Sequence, residues 1–325
     1  MEPTTFEVAS GVTAIDTLMG GRERYTAGYL LDAADPTLVE TGPTTSVEPV
    51  ARGLDSLGIG PNDLANIVVT HIHLDHAGGV GRLTSRFPRA TVWVHGRGAP
   101  HLVDPAKLVA SAIRIYGEEQ MASLFGPVDP VAKGRLRVLE DGAALRIGGR
   151  ELQAFHTPGH ASHQLALLDS SSGAVFTGDA LGIHVPDLPV LRPETPPPDF
   201  DLDLAVESIE RIRAASPSVL LFAHFGPIAE VERVCDLAVQ RLRGWSDVVR
   251  EALASTDVLE EIVTRLEIES ASDIETGAGA DLDIDALERR LGLLSSVRMN
   301  AMGLIRYWKK RAEREAAEDR PDQPS

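Results

Sequence analysis

The sequence predicts a layered α/β protein, and two features of its pattern support that fold class. Through about residue 225, short apolar runs alternate with turns rich in Gly, Pro and Asp, and stretches with helical spacing stand between the runs. Hydrophobic residues make up 43% of the 325 residues, which is ordinary for a protein with a buried core. Strands mixed with helices over such a length are typical of β-sheets covered by layers of helices.

Eight apolar runs are predicted to be strands, and three stretches between them are predicted to be helices. The first two strands flank a turn at residues 34–36 and are expected to pair. The first helix has apolar residues at helical spacing, and Gly58 stands where a C-cap is expected. The predicted strands are residues 28–32, 37–40, 67–70, 91–94, 152–155, 165–168, 175–177 and 219–222, and the predicted helices are residues 47–57, 105–121 and 202–215.

The chain changes character beyond about residue 226. A helix is predicted over residues 227–255, because apolar side chains recur on one face and Pro227 suits a first helical turn. Residues 269–285 are polar, acidic and contain glycine, which favours a linker, and a second apolar stripe follows over residues 287–308. We therefore expect a main domain over residues 1–230, a helical region over residues 231–310 and a disordered tail over residues 311–325.

The charge balance and the cysteine content exclude several classes of function. The chain has 31 Lys and Arg against 48 Asp and Glu, a formal net charge of -17, which argues against nucleic-acid binding. Cys235 is the only cysteine, so an internal disulfide and thiolate metal clusters are excluded. The first residues lack the pattern of a signal peptide, and no stretch is apolar over the length that spans a membrane. We expect a cytoplasmic protein that acts on a small molecule and assembles as a homodimer.

The segment Thr-His-Ile-His-Leu-Asp-His at residues 70–76 carries four potential metal ligands. They are His71, His73, Asp75 and His76, and they follow directly on an apolar strand. Imidazole nitrogen and carboxylate oxygen are ligands of zinc and of similar divalent ions. Residues at i and i+2 leaving a strand point to the same side, so His71 and His73 can bind one ion. Three of the ten histidines lie within these few residues, which favours a metal site over an ordinary polar loop.

Three later predicted strands are also each followed by a potential metal ligand. Pro158-Gly159 precedes His160, Gly178 precedes Asp179, and Ala223 precedes His224, each just past the end of a predicted strand. Four strands that deliver such side chains to one open edge of a sheet stack would gather all of them. The sequence therefore predicts a metal centre made of His71, His73, Asp75, His76, His160, Asp179 and His224.

The series T-H-I-H-L-D-H, T-P-G-H, T-G-D and A-H-F-G resembles the metallo-β-lactamase superfamily in its order and spacing, over about residues 6–230. The resemblance implies a four-layer αββα sandwich, to which the C-terminal helical region is added. Residues 38–43 and 95–117 look like a subgroup of archaeal and bacterial members with glyoxalase II-like metal motifs. The resemblance also implies two metal ions. The first would be held by His71, His73 and His160, the second by Asp75, His76 and His224, and Asp179 would bridge them.

Most members of the superfamily have aspartate where Glu40 stands. That carboxylate typically supports a ligand histidine through a hydrogen bond, and Glu40 is expected to do the same with a longer reach. The metal ions are expected to be zinc, with iron or manganese as alternatives, because His/Asp sites accept several divalent ions.

A centre of this kind is suited to hydrolysis. A bound metal ion lowers the pKa of water from about 16 to about 7, so hydroxide is available at neutral pH, and the ions also polarise a carbonyl group. The resemblance therefore implies a metal-dependent hydrolase that attacks an ester, thioester, lactone or similar bond with a metal-bridging hydroxide. Asp75 and Asp179 would be its catalytic carboxylates.

Other members of the superfamily fit the sequence less well. Glyoxalase II-like thioesterases bind glutathione through basic residues of the C-terminal helices, whereas this region is acidic up to Arg289. Zinc β-lactamases usually have cysteine where Asp179 stands, and flavodiiron-type members have glutamate where His73 stands. Persulfide dioxygenase-like members use one iron and keep the H-x-H-x-D-H series. An iron-dependent oxidoreductase is thus the alternative function, and a non-catalytic metal-bound binding module is a third hypothesis.

Six further residues are candidates for the wall of a substrate pocket. Lys107, Arg114 and Tyr116 lie on the helix predicted over residues 105–121, which would overhang the metals. Arg192 lies in a proline-rich loop at residues 186–200, while His184 and Phe225 follow two of the ligands. A solvated surface position is the alternative for each cation, and core packing is the alternative for Phe225. Four histidines that belong to no motif are expected to be structural or exposed, with His163 the first exception because it is close to His160; the others are His95, His101 and His156.

Overall fold

In the described part of the chain, two β-sheets pack face to face between outer layers of helices, which confirms the predicted αββα sandwich. The computed structural model describes residues 1–184, 190–278 and 284–318, with side chains omitted for residues 275–278 and 284–286. None of the helices in these ranges is both long enough and apolar enough to cross a membrane.

The first sheet is built from the N-terminal part of the chain. It consists of β1 (Thr5–Ala9), β2 (Val12–Asp16), β3 (Ala27–Leu31), β4 (Thr37–Val39), β5 (Asn66–Val68), β6 (Thr91–His95) and β7 (Leu136–Leu139), which neighbour one another in that order. From β1 to β4 the strands pair antiparallel. From β4 to β7 they pair parallel.

The second sheet follows in the chain. The strands are β8 (Ala144–Ile147), β9 (Arg150–His156), β10 (Leu165–Asp169), β11 (Ala174–Gly178), β12 (Ile183–His184), β13 (Leu191–Arg192), β14 (Val219–Phe222) and β15 (Gly226–Ile228). The sheet has the order β15-β14-β11-β10-β9-β8, while β12 and β13 form a short antiparallel pair of their own. The predicted loop at residues 186–200 thus contains β13, and its residues 186–189 lie outside the described ranges.

Helices cover the outer face of each sheet. They are α1 (Val47–Ser56), α2 (Leu74–Ala77), α3 (Val80–Arg86), α4 (Ala99–Val103), α5 (Ala106–Gln120), α6 (Leu202–Ala214), α7 (Val231–Leu253), α8 (Leu259–Ala278), α9 (Ile284–Leu294) and α10 (Val297–Glu318). The apolar faces of α1 and α3 pack on the first sheet, and those of α6, α7, α8 and α10 pack on the second.

The strands are buried between two layers because they have apolar side chains on both faces. In β3, Tyr29 and Leu31 point into the core between the sheets, whereas Leu30 points to the core beneath α1. In β10, Leu165 lies between the sheets and Ala166 faces the C-terminal helices. Successive side chains of a strand alternate between faces, so near-continuous apolar runs are buried on both sides.

The C-terminal helices pack onto the second sheet, as their apolar stripes predict. Trp245 and Val249 of α7, Leu266 of α8 and Leu304 of α10 share one buried cluster with Phe222 of β14. Burial of a large apolar side chain stabilises a fold by about 1.5–3 kcal/mol. The helices are therefore part of the same core as the sheet that they cover.

The predicted start of the helix after residue 226 is wrong. Pro227 lies in β15, where it is opposite Leu221 of β14, and α7 begins only at Val231. Proline has no backbone N–H to donate, and an edge strand such as β15 tolerates it because, among the described residues, β14 is its only partner strand.

The linker predicted over residues 269–285 is wrong in its first part, because α8 continues to Ala278. Asp273 explains the difference: its carboxylate accepts a hydrogen bond from Nε1 of Trp245 at 2.9 Å and forms an ion pair with Arg241. Contacts with α7 thus override the weak helix propensity of the acidic segment. Residues 279–283 lie outside the described ranges.

The disordered tail predicted over residues 311–325 is also wrong in its first part. α10 continues to Glu318, and Arg311 donates hydrogen bonds to the hydroxyl of Tyr307 at 2.8 Å and to the carboxylate of Asp203 in α6 at 3.0 Å. Charged residues of the last turns are thus held on the surface of α6. The described chain ends at residue 318, so residues 319–325 are outside it.

Candidate metal centre

The seven predicted ligands follow strands whose C-terminal ends meet at one edge of the sandwich. β9, β11 and β14 run in the same direction, because β10 is antiparallel to both β9 and β11, and β14 is parallel to β11. The chain leaving β5 reaches the same edge, where the carbonyl oxygen of Thr70 accepts a hydrogen bond from the N–H of Leu165 at 2.9 Å.

Gly178 permits a close approach between the two sheets at this edge. Its φ is +51°, and a Cβ atom at this position would lie 2.6 Å from Oγ1 of Thr70. A larger residue would push Asp179 away from His71, since these two ligands directly follow Gly178 and Thr70.

One group of potential ligands consists of His71, His73, His160 and Asp179. Nδ1 of His73 lies 3.1 Å from Nε2 of His71 and 2.9 Å from Nε2 of His160. Oδ2 of Asp179 lies 3.7 Å from Nε2 of His71 and 3.5 Å from Nε2 of His160. The four atoms therefore surround a common point.

The other group consists of Asp75, His76 and His224. Oδ2 of Asp75 lies 3.5 Å from Nε2 of His76 and 3.4 Å from Nε2 of His224. Asp179 reaches this group as well, with Oδ2 at 3.2 Å from Nε2 of His76 and Oδ1 at 3.5 Å from Nε2 of His224. Asp179 thus stands between the two groups.

Glu40 connects the centre to the first sheet. Its Oε2 lies 3.1 Å from Nδ1 of His76, and its Oε1 accepts a hydrogen bond from the N–H of Thr70 at 2.9 Å. The hydroxyl of Thr70 in turn lies 3.1 Å from Nδ1 of His71. These contacts orient both rings so that Nε2 faces the centre.

Backbone carbonyl groups orient two further rings. Nδ1 of His160 lies 3.2 Å from the carbonyl oxygen of Glu194, and Nδ1 of His224 lies 3.1 Å from that of Tyr25. A carbonyl oxygen only accepts, so Nδ1 donates its hydrogen to it, and Nε2 is the atom of each ring that faces the centre. A histidine that ligates a metal commonly has such a partner on its other nitrogen.

The two carboxylates dominate the electrostatics of the centre. Burial acts to raise the pKa of Asp179, but the adjacent His76 and His224 hold it well below its ordinary range. Burial opposes the charged form of His224, yet Asp179 and Asp75 raise the pKa of this histidine to about 10. Burial and the neighbouring His160 and His76 lower the pKa of His73 to about 3, although Asp75 and Asp179 act against them. The centre attracts positive charge, and a metal cation would take the place of the imidazole protons.

The clustered side chains are better suited to coordinating divalent cations than to forming hydrogen bonds with one another. Nε2 of His76 and Oδ1 of Asp179 are buried and make no well-directed hydrogen bond within the described part of the chain. Leaving such a group unpaired costs about 1–3 kcal/mol. Nδ1 of His73 faces two Nε2 atoms, although a ring nitrogen has only one hydrogen or one lone pair to offer. Imidazole and carboxylate donors in this number suit zinc, iron, manganese or cobalt.

A cavity of about 360 Å³ opens onto the centre. His73, Asp75, His160 and Asp179 line its inner end. α5 contributes one wall and the C-terminal helices contribute another, with mostly apolar side chains between them: Leu108, Ala112, Ile115, Tyr116, Leu294 and Met299. Arg97, His101 and Lys107 bring basic groups to the same cavity. Leu294 of α9 and Met299 of α10 thus bring the C-terminal region to the wall of this cavity.

Only two of the six pocket candidates line this cavity. They are Lys107 and Tyr116, whereas Arg114 is exposed on α5. The prediction that Arg192 faces the substrate is wrong: the side chain is 2% exposed, and its guanidinium donates to the carboxylate of Glu288 at 2.8 Å. Phe225 is buried in the core between the sheets, where its ring lies 6.2 Å from that of Phe6.

His184, another of the six candidates, holds the backbone near a ligand. Its Nδ1 lies 3.2 Å from the carbonyl oxygen of Phe225, the residue after His224. Among the histidines without a motif, His101 and His163 line the cavity, while Nε2 of His95 lies 3.2 Å from Nδ1 of His156 away from the seven clustered side chains.

Sequence reasoning missed Glu194. Its side chain is 6% exposed and lines the cavity, and its carbonyl oxygen orients His160. An acid among prolines has no motif of its own. The one available signal was that a proline-rich, conformationally restricted segment returns to the site after Asp179.

The fold and the clustered histidines and aspartates together define a metallo-β-lactamase-type protein. The chain belongs to the metallo-β-lactamase superfamily, whose family model matches residues 21–224. This match covers more than half of the chain and contains all seven clustered side chains.

Individual relatives are more distant. A metallo-β-lactamase fold-containing protein of Sulfurisphaera tokodaii is 28% identical over 167 residues, which cover 50% of this chain and 61% of that protein. A probable hydroxyacylglutathione hydrolase of Schizosaccharomyces pombe is 32% identical over 175 residues, which cover 52% of this chain and 54% of that protein. The matches thus span less than two thirds of either relative.

A solved structure agrees with the fold over most of the chain. The crystal structure of an archaeal metallo-β-lactamase superfamily protein from Sulfolobus tokodaii is similar with a TM-score of 0.66, at 21% sequence identity. The similarity covers 90% of this chain and 98% of that one, so it extends into the C-terminal helices.

Proposed function

We propose that the chain is a hydrolase that holds two divalent metal ions and cleaves an ester, thioester, lactone or similar carbonyl bond of a small molecule. The position of Asp179 between the two groups of ligands is the observation that supports this proposal most directly. Its Oδ2 faces His71 and His160 of one group, and its Oδ1 lies 3.5 Å from Nε2 of His224 in the other. A carboxylate in contact with both groups is suited to a pair of neighbouring cations.

In this proposal, a different set of residues holds each of the two ions. His71, His73 and His160 would hold one ion, and Asp75, His76 and His224 would hold the other, with Asp179 between them. When bound, such ions supply hydroxide at neutral pH and polarise the carbonyl group. No serine or cysteine nucleophile with a partner base is required.

The cavity supports a small-molecule substrate. Its volume of about 360 Å³ is at the lower end of the usual range for ligand pockets, about 300–1,000 Å³. A net charge of -17 disfavours a nucleic-acid substrate. The relative named as a probable hydroxyacylglutathione hydrolase is consistent with carbonyl-bond hydrolysis, although the acidic C-terminal region argues against glutathione itself.

The test is hydrolysis by protein of known metal content. Protein purified without added metal is analysed for its elements and then assayed on a panel of simple esters, thioesters and lactones. We expect hydrolysis of at least one class, its loss after treatment with a chelator, and its recovery with zinc or manganese. A chain that holds one iron, consumes dioxygen with a persulfide and hydrolyses none of the panel would replace the proposal with the oxidoreductase alternative.

A further inference from the structure

Two histidines outside the metal centre join the two sheets. His95 ends β6 of the first sheet and is 7% exposed, and His156 ends β9 of the second sheet. The ring centroids are 4.0 Å apart, and Nε2 of His95 lies 3.2 Å from Nδ1 of His156. Nε2 of His156 lies 3.2 Å from the carbonyl oxygen of Leu139, the residue of β7 that is opposite His95. The two rings therefore connect three strands at their C-terminal ends.

Hydrogen bonds determine the tautomer of each ring. The backbone N–H of Arg97 donates to Nδ1 of His95 at 3.0 Å, so Nδ1 has no hydrogen and Nε2 has one. Nε2–H of His95 then donates to Nδ1 of His156, and Nε2–H of His156 donates to the carbonyl oxygen of Leu139. All four ring nitrogens have a partner in this arrangement, and both rings are neutral.

A single added proton breaks this series of hydrogen bonds. On His95 the proton would bind to Nδ1 and face the N–H of Arg97, and on His156 it would bind to Nδ1 and face Nε2–H of His95. In both cases two donors lie opposite each other without an acceptor between them. A buried donor that loses its partner destabilises the folded state. The connection between the sheets is thus intact only while both rings are neutral.

Burial and positive charge oppose a proton on His95. Burial has the largest effect, and the neighbouring His156 and Arg97 add to it, so the pKa of His95 falls from its ordinary 6.5 to about 4. Between these two values the unfolded chain binds a proton that the folded chain does not bind. The contribution of His95 to the free energy of unfolding is therefore complete above about pH 6.5 and is lost as the pH falls towards 4.

Other titratable groups face the pair from neighbouring elements. Asp141, in the turn after β7, accepts a hydrogen bond from the backbone N–H of His156 at 2.8 Å. Arg211 of α6 pairs with this carboxylate at 2.7 Å and donates to the carbonyl oxygen of His156 at 2.9 Å. Burial and His73 lower the pKa of His163 to about 3, so this ring is neutral. The one carboxylate among these groups is already paired with a cation.

The turn after His95 borders both the cavity and the T-H-I-H-L-D-H segment. The N–H of Gly98 donates to the carbonyl oxygen of His95 at 2.9 Å, and a Cβ atom on Gly98 would lie 2.6 Å from Cγ2 of Ile72. Arg97 of the same turn lines the cavity. A change in the hydrogen bonds of His95 therefore acts directly on the cavity wall.

We propose that His95 and His156 form an acid-sensitive link that holds the turn at residues 95–98 to the second sheet. The link is intact while both rings are neutral, and one bound proton breaks it and releases the turn from β9. This property is independent of the proposed hydrolase function, because no substrate takes part in it.

The tautomers give the most direct test. Nuclear magnetic resonance of the zinc-loaded chain with 15N-labelled histidine distinguishes Nδ1–H rings from Nε2–H rings and follows each ring with pH. We expect both rings of the pair in the Nε2–H form at about pH 7.5, and His95 still neutral at about pH 5.5. An Nδ1–H tautomer in either ring, or titration of His95 at its ordinary value, would overturn the proposal.

The pH dependence of stability gives a second test. Thermal denaturation of the wild type and of His95→Gln is measured at about pH 7.5 and about pH 5.5, with metal content checked at each pH. The variant should melt below the wild type at the higher pH, because hydrogen bonds of the link are lost. At the lower pH the difference should shrink by about 2–4 °C, since only the wild type loses the contribution of His95.

His101→Gln is the matched control. His101 lies on the neighbouring α4 and lines the cavity, but within the described ranges it forms no hydrogen bond with either ring of the pair. Its melting temperature should therefore follow that of the wild type at both pH values.

The outcomes separate this proposal from the hydrolase proposal. A difference between the wild type and His95→Gln that is the same at both pH values would contradict the link, and so would an equal narrowing in His101→Gln. If His95→Gln does not fold, the resonance measurement on the wild type decides alone. A chain that hydrolyses none of the carbonyl compounds leaves both measurements valid, so each proposal can fail without the other.

Discussion

At the scale of single residues, the metal centre depends on side chains that orient its ligands. Glu40 has a positive φ of +66°, which is uncommon for a residue with a side chain, and its carboxylate contacts both His76 and the N–H of Thr70. A strained conformation that persists at a functional site is held by its surroundings. Glu40 therefore fixes the ring of His76 and the start of the T-H-I-H-L-D-H segment together.

Glu40→Gln should weaken metal binding at the group that contains His76. The amide keeps the size of the side chain but has one acceptor instead of a carboxylate, and loss of such an orienting partner typically costs about 10–100-fold in metal affinity. The measurement is competition with a chelator of known affinity. Glu48→Gln is the matched control, since Glu48 is exposed and its ion pair is with exposed Arg86 at 3.5 Å. Equal metal affinity in both variants would contradict this role of Glu40.

Asp179→Ala should lower metal content and activity together. The substitution removes the carboxylate that contacts both groups of ligands, and one of two negative charges that face the ions. His95→Ala should leave metal content unchanged, because His95 contacts His156 away from the centre. Elemental analysis of the two purified variants makes the comparison. Loss of metal from His95→Ala would show that the ligands are wrongly assigned.

At the scale of helices and strands, α10 packs against residues 193–195, which border the metal centre. Its Gly303 packs on the carbonyl oxygen of Thr195, so there is no room for a Cβ atom. Gly303→Ala should destabilise the protein by about 1–3 kcal/mol, as overpacking of a close contact does. It should also disturb Glu194 and the orientation of His160, and thereby lower kcat/KM.

Gly292→Ala is the control for this prediction. Gly292 lies in α9, where a Cβ atom would meet nothing within 4 Å, and alanine in a helix is more stable than glycine by about 1 kcal/mol. Thermal denaturation should therefore show a lower melting temperature for Gly303→Ala and an equal or higher one for Gly292→Ala. The same direction of change in both variants would contradict the assigned contact.

Within the described ranges, the sequence predicts eight of the fifteen strands and three of the six helices of the main domain, where the signals are local. The run at residues 219–222 coincides with β14, while the run at residues 165–168 and the helix predicted over residues 202–215 agree with β10 and α6 to one residue. The C-terminal errors have the opposite cause. The length of α8 depends on the contacts of Asp273 with α7, and the last turns of α10 depend on Asp203 in α6, which no local pattern reveals.

At the scale of the whole molecule, sequence motifs predict the clustered metal ligands, whereas tertiary packing determines which charged side chains line the cavity. The seven clustered side chains stand beside recognisable motifs, and their strands end at one edge. Arg192, which was expected near the substrate, is buried against Glu288 and Ser270, whereas Glu194, which belongs to no motif, lines the cavity. Both outcomes depend on how the C-terminal helices cover residues 190–196, far away in the chain.

Removal of the C-terminal helices tests their part in the molecule. Truncation after Ser255 should leave the seven clustered side chains in the chain but expose Trp245 and Val249 of α7 and remove Leu294 and Met299 from the cavity. We expect poor solubility or an altered substrate preference, because several buried apolar side chains lose their cover. Size-exclusion chromatography and the substrate panel provide the measurement. A truncated protein that is soluble, metal-loaded and equally active on the same substrates would show that the helices are dispensable.

The number and position of the metal ions test the central claim most directly. Seven side chains in two groups, with Asp179 in contact with both, predict two ions per chain at about 3.5–4 Å from each other. The measurement is an anomalous-scattering map of crystals of the metal-loaded protein, with elemental analysis of the same preparation. The predicted result is two peaks, one beside His71, His73 and His160 and one beside Asp75, His76 and His224. A single fully occupied peak, with the other group of side chains empty, would contradict the dinuclear centre and favour the mononuclear iron oxidoreductase.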